Sequence, residues 1–216
     1  MFYEPPTAVW SDMRIGVYGG TFSPVHNGHI KAAEHFMNEL ALDRLLVIPT
    51  FLPPHKHEVL GANCAERLDM LRLAFENDPR ICVSDIEILR GGKSYTVDTL
   101  EELRKQKNGD YYLLCGTDMF LTLETWKDPR RIFELAVIVL GRRESDADND
   151  APIAEQKHFL ESEYGAHIVE FAFEPIKVSS SELREKLAKG ISISGEVPEK
   201  VEKYILKHRL YRTDAV

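Results

Sequence analysis

A chain of 216 residues, 44% of them hydrophobic, is long enough to bury one apolar core without disulfides or a structural metal. Its formal net charge of −8 argues against a general nucleic-acid binder, whose surface is basic, and no stretch approaches the roughly 20 apolar residues that span a bilayer. Cys64, Cys82 and Cys115, odd in number and without a Cys-x-x-Cys pair, read as reduced thiols, and residues 1–12 lack the basic-then-apolar order of a signal peptide; together these predict a cytoplasmic protein.

Residues 1–12 carry a Pro-Pro pair and read as a loose extension, with Met1 and Met13 both open as the natural start. The run 14–18 (RIGVY) predicts a buried strand, and Ile30, Ala33, Met37 and Leu40 line one face of a helix starting near Asn27 or Gly28. Further strands are expected at 44–48, 81–86, 111–115, 136–140 and 167–170. Asn63 with Glu66 forms a capping box that opens a helix turning Leu68, Leu71 and Phe75 inward. Thr96 precedes a helix running to about Gln106 with Leu100 and Leu103 buried, and Asp128-Pro129 opens a short helix ending near Leu135. The acidic run 144–150 (ESDADND) reads as a surface loop, since it lacks the glycine and distal glutamate of a calcium loop. Helices at 181–189, stopped by Gly190, and at 198–208 close the chain. This order predicts an α/β fold, a doubly wound parallel sheet with helices on both faces, with a core over 13–178 and a small helical C-terminal segment over 179–216.

The chemistry gathers first at Gly19-Gly20-Thr21-Phe22-Ser23-Pro24-Val25-His26-Asn27-Gly28-His29, between the first strand and the first helix. A helix N-terminus presents N–H groups without intrahelical partners and a partial positive charge, so this turn reads as a nucleotide phosphate site, and the glycines let a ligand reach the backbone. Each histidine alone reads as a solvated or capping residue, but His26 and His29, three apart, share a helix face and reach one ligand. Later segments leave two readings open. Lys56 in Pro53-Pro54-His55-Lys56 is a solvated lysine or a cation held at the sheet edge by a stiffened loop; Ser94-Tyr95-Thr96-Val97-Asp98-Thr99 is a plain cap or a ligand-facing helix start. Asp118, after Gly116-Thr117, suits ribose hydroxyls and Trp126 suits a stacked ring, or they are a cap and a half-buried side chain. Ser179-Ser180-Ser181 with Arg184 are ordinary caps and surface charge, or a second anion site facing the first.

The first turn resembles the H-x-G-H nucleotidyltransferase superfamily, and within it the nicotinate-nucleotide adenylyltransferases, whose opening motif is close to G-G-T-F-D-P-x-H-x-G-H; Ser23 stands where that motif has Asp. The P-P-H-K, S-Y-T-x-D-T and G-T-D…W segments follow in the family's order, then 178–184 resembles I-S-S-[ST]-x-[IL]-R, so the likeness covers nearly all of 14–212. The resemblance implies a Rossmann-like enzyme that transfers the adenylyl group of ATP to nicotinate mononucleotide, with Mg2+ delivered on the ATP and no metal held by the protein. It implies that His26, His29 and Arg184 are catalytic, that Gly19, Gly20, Thr21, Phe22, Gly28, Gly116, Asp118, Ser180 and Ser181 bind ATP, and that Lys56, Tyr95, Thr96 and Trp126 bind the mononucleotide. Residues 179–216 then complete the ATP site, and Ser23 orders the turn by hydrogen-bonding nearby backbone N–H groups. The expected partners are these small molecules, neither nucleic acid nor membrane, with a homo-oligomer left open. The alternatives are an H-x-G-H enzyme acting on nicotinamide mononucleotide or another acceptor, or a nucleotide sensor with a decayed site, which Ser23 encourages. A class I aminoacyl-tRNA synthetase is disfavoured by the missing K-M-S-K-S loop.

Overall fold

Successive side chains of a strand point to opposite faces of its sheet, so apolar runs buried on both faces demand a helical layer on each side. The computed structural model, which describes residues 13–54, 61–106, 108–143, 149–174 and 176–212, has that architecture. The extension at 1–12, Lys56 and the acidic stretch 144–148 lie outside the described residues. Six strands, β1 (Arg14–Gly20), β2 (Arg44–Pro49), β3 (Ile81–Val83), β4 (Asp110–Gly116), β5 (Val137–Arg143) and β6 (Ile168–Phe173), pair in parallel in the order β3-β2-β1-β4-β5-β6. This is the doubly wound, Rossmann-like sheet that the sequence predicts. The helices are α1 (Asn27–Glu39), α2 (Cys64–Phe75), α3 (Ile86–Arg90), α4 (Thr96–Gln106), α5 (Thr117–Phe120), α6 (Pro129–Leu135), α7 (Asp150–Tyr164), α8 (Ser180–Ala188) and α9 (Glu199–Lys207).

Leu45, Val47, Leu114 and Val139 face a layer holding Phe36, Met37, Leu71, Phe75, Leu183, Val201 and Ile205, so α1, α2, α8 and α9 share one core. Leu46, Ile48, Leu113 and Ile138 face the other layer, with Leu100 and Leu103 of α4, Ile132 of α6 and Leu160 of α7. The C-terminal helices are therefore built into the sheet's own core. Gly16 lets α1 come close: a Cβ there would lie 2.6 Å from Leu42, 2.7 Å from Leu45 and 2.8 Å from Phe36.

Several elements depart from the sequence reading: α5 was not foreseen, and Asp150, expected in the surface loop 144–150, opens α7. The strand expected at 81–86 ends at Val83, where the Ser84 N–H turns to the Val47 carbonyl at 2.9 Å and the chain enters α3. Helix α7 was not foreseen; only Ile153 and Leu160 of it are buried, seven residues apart, which leaves no apolar stripe to read.

The strand order reverses between β1 and β4, and there the sheet opens. Pairing of β1 with β2 runs to Gly20 opposite Pro49, whereas pairing with β4 stops at Val17 opposite Leu113. The carboxyl ends of β1 and β4 part into a crevice, the place where ligands bind such sheets. A Cβ built on Gly19 or on Gly116 meets nothing within 4 Å, so both glycines leave the backbone approachable.

Candidate active site

The turn leaving β1 delivers both histidines to this crevice. His26 is the N-cap of α1, in extended conformation, and its N–H donates to His29 Nδ1 at 3.2 Å. The two rings stack with centroids 3.7 Å apart, and the Phe22 ring meets His29 edge-on at 5.0 Å. Because His29 Nδ1 accepts a hydrogen bond, the neutral ring carries its proton on Nε2, as a donor. Phe22 itself is 2% exposed, so its side chain braces His29 and leaves only its backbone to a ligand, a narrower part than the ATP-binding role expected of it.

Neither histidine is a standing cation. Burial pushes His26 down to about 4, against an opposing pull from Glu196; burial, then the neighbouring His26, holds His29 well below the usual imidazole value. The unfolded chain takes up this proton near pH 6.5 and the folded one does not, so stability is full above pH 6.5 and falls as the pH drops towards 4. Between pH 7 and pH 5 His26 alone costs about 2 kcal/mol, visible as a falling Tm in thermal melts, and His26→Gln should flatten that slope.

The helix end is also less open than the sequence suggests. The Asn27 N–H donates to the Glu196 carbonyl at 2.9 Å, the Asn27 side chain to Gly195 at 2.8 Å, and the His29 N–H to the His26 carbonyl at 2.9 Å. Of the first three N–H groups of α1, that of Gly28 alone lacks a partner among the described residues.

The second expected anion site touches the first. Arg184 Nη1 donates to the Ser23 carbonyl at 2.7 Å and Nη2 to Ser181 Oγ at 3.1 Å. Ser180 Oγ donates to the Pro24 carbonyl at 2.9 Å, and Ser179 caps α8 by accepting the Glu182 N–H at 3.2 Å. The single hydroxyl hydrogen of Ser180 is thus committed to Pro24, and its offer to an anion is the backbone N–H at the start of α8. Ser23 is ordered from the far end of the chain: its hydroxyl donates to the Tyr211 phenol oxygen at 3.2 Å. The Tyr211 ring in turn fills the space at Gly61, where a Cβ would come within 2.4 Å of it and where φ is +84°.

Across the crevice, Gly116 and Asp118 are exposed at the end of β4. Tyr95 precedes α4 and Thr96 is its first residue; Tyr95 and half-buried Trp126 both pack against the α4 and α6 layer. Lys127, which sequence reasoning passed over, ties these segments together: its Nζ lies 2.8 and 2.9 Å from the Asp98 carboxylate oxygens and 4.7 Å above the Tyr95 ring. Arg67 was passed over too, although it repeats the four-residue spacing of Leu71 and Phe75 on α2; it is wholly buried behind the Thr21 turn.

A sequence model of the cytidylyltransferase-like family matches residues 17–186. A protein of Syntrophotalea carbinolica described as a probable nicotinate-nucleotide adenylyltransferase is 37% identical over 214 residues, covering 93% of this chain and 98% of that one. One of Dictyoglomus turgidum with the same description is 39% identical over 202 residues, covering 92% and 96%. The chain belongs to the nicotinate-nucleotide adenylyltransferase family. The adenylyltransferase fold is shared by the nicotinic acid mononucleotide adenylyltransferase of Plasmodium falciparum complexed with NaAD, with a TM-score of 0.75 at 19% identity over 92% of this chain and 97% of that one. The same Plasmodium enzyme complexed with APC gives a TM-score of 0.72 at 18% identity, over 92% and 97%.

Proposed function

We propose that this adenylyltransferase joins ATP to nicotinate mononucleotide. A phosphate oxygen of the mononucleotide attacks the α-phosphorus of ATP; the bond from that phosphorus to the bridging β-oxygen breaks, and pyrophosphate leaves with the electron pair. No enzyme nucleophile is needed, so catalysis is positioning and charge stabilisation. The observation that carries the reading is the crevice between β1 and β4, bordered on one side by the His26–His29 pair and on the other by Gly116 and Asp118.

In this reading His29 Nε2–H donates to the α-phosphate, the approachable backbone at Gly19 and the Gly28 N–H take phosphate oxygens, Gly20 makes room for the Phe22 ring, 2.9 Å from where its Cβ would stand, and Asp118 accepts from the adenosine ribose. Arg184 and the first N–H groups of α8 hold the β- and γ-phosphates. Tyr95 and Trp126 flank the pyridine ring, and the N-terminal N–H groups of α4 beside Thr96 receive its carboxylate, an anion that a positive helix end favours over a neutral amide. Magnesium enters as part of the substrate, coordinated by phosphate oxygens and water. We place the reaction in the cytoplasm, where cysteines such as these three, none in a disulfide, stay reduced.

The test mixes the protein with ATP, magnesium and either nicotinate or nicotinamide mononucleotide and follows pyrophosphate. Rapid release with the acid and at least tenfold less with the amide is expected. Binding of ATP without release would favour the sensor reading instead.

A further inference from the structure

Arg67 stands first among the largest fully buried side chains, 1% exposed, yet among the described residues no carboxylate lies within salt-bridge reach of it; its electrostatic pull on buried Glu87 is shared with Arg90, 3.9 Å from that carboxylate. Its guanidinium is met by carbonyls. Nη1 donates to Thr21 at 3.0 Å and to Thr50 at 2.7 Å, Nη2 reaches the Phe51 carbonyl at 3.4 Å and Cys64 Sγ at 3.3 Å, and Nε has no partner. Burying a charge whose nearest carboxylate is out of contact carries a heavy desolvation penalty, which makes this side chain a poor source of stability.

What it joins is specific. Thr21 belongs to the turn that carries His26 and His29; Thr50 and Phe51 follow β2. The Phe51 N–H then donates to Ser94 Oγ at 3.0 Å, and the Ser94 N–H to the Leu52 carbonyl at 2.9 Å, so the loop after β2 is laced to the segment that opens α4. Beyond Ser94 the Thr99 hydroxyl donates to Glu87 at 2.7 Å and Arg90 donates to Thr99 at 2.8 Å, which fixes that segment to α3. One guanidinium therefore stands at the junction of the phosphate turn and the mononucleotide segment.

We propose that Arg67 is a positioning residue shared by both substrate sites, setting the separation between the ATP turn and the Ser94–Thr96 segment. It touches neither substrate. By capturing the Thr21 carbonyl from behind, it turns that peptide away from the crevice, and by holding Phe51 it carries the same constraint to Ser94. An attacking phosphate and an α-phosphorus must meet within a few tenths of an ångström, and such alignment is lost when the two loops move independently. The inference rests on the adenylyl transfer proposed above.

The test compares Arg67→Lys, which keeps the charge but cannot bridge three carbonyls, and Arg67→Met, which keeps the bulk, with Leu160→Ala, a cavity variant in α7 on the opposite layer. Steady-state constants for both substrates are measured well below each Tm. A fall in kcat of tenfold or more in Arg67→Lys, with KM raised for both substrates, is expected, while Leu160→Ala keeps wild-type constants. In a double-mutant cycle, Arg67→Lys combined with Ser94→Ala should lose less than the product of the single effects, because both act through Phe51. Arg67→Lys folded and turning over at the wild-type kcat overturns the inference, as does an equal loss in Leu160→Ala or strict additivity in the cycle; should Arg67→Met fail to fold, Arg67→Lys and the cycle decide alone. A wild type that releases no pyrophosphate overturns the reaction itself, and this inference with it.

Discussion

His29→Ala lowers the kcat for pyrophosphate release at least a hundredfold, about 3 kcal/mol of transition-state stabilisation, with a much smaller change in the KM for ATP. The asymmetry follows from the state of the ring. His29 is held neutral by burial, with its proton on Nε2 because Nδ1 accepts the His26 N–H at 3.2 Å. A neutral donor contributes modestly to a ground-state triphosphate that already carries magnesium. Its hydrogen bond strengthens as charge gathers on the α-phosphate oxygens during transfer, so the loss falls on kcat. The ring is also pre-set, stacked on His26 at 3.7 Å and met by Phe22 at 5.0 Å, so no reorganisation is needed at the moment of reaction. His29→Gln, which offers an amide N–H at similar reach, should recover part of the loss. A His29→Ala enzyme with unchanged kcat would remove the ring from the chemistry.

Arg184→Met should lower kcat/KM for ATP by two to three orders of magnitude, about 3–4 kcal/mol, the loss of two or so charge-assisted hydrogen bonds. The guanidinium spends one donor on the Ser23 carbonyl at 2.7 Å and one on Ser181 Oγ at 3.1 Å, which leaves three of its five N–H donors for phosphate oxygens. Because the first two bonds fix the fork across the turn and α8, charge and position are lost together. Arg184→Lys separates them: it keeps the charge but not the planar fork, and should restore about tenfold of the loss, no more. Full activity in Arg184→Lys would make the residue a plain point charge, and full activity in Arg184→Met would take it out of the site.

Much of this was legible in the chain because the signals are local. The Asn63–Glu66 capping box forms as read, with bonds of 2.7 and 3.0 Å, and strand alternation and the start of α1 follow from period and capping alone. One miss was local: Ser84 and Asp85 break the apolar run 81–83, and Asp85 is the N-cap of α3, so the departure of the chain was marked and read through. The other misses depend on distant parts of the chain. Arg67 looks like surface charge on any helix until the sheet beneath it is known, and the closing of the α1 N-terminus by Glu196 depends on a loop 169 positions after Asn27. The neutrality of the histidine pair likewise comes from burial, which composition does not reveal. Lys56, the anchor expected for a substrate phosphate, lies outside the described residues, so its part rests on the order of motifs alone.

The contact between Ser23 and Tyr211 spans 188 positions of sequence and 3.2 Å of space. Tyr211 thus works as a strap from beyond α9 onto the turn between β1 and α1, beside the tethers from Arg67, Ser180 and Arg184. A cut between α9 and Tyr211 would leave the pairing of all six strands untouched and still loosen one corner of that turn, so the sheet and the turn can fail separately.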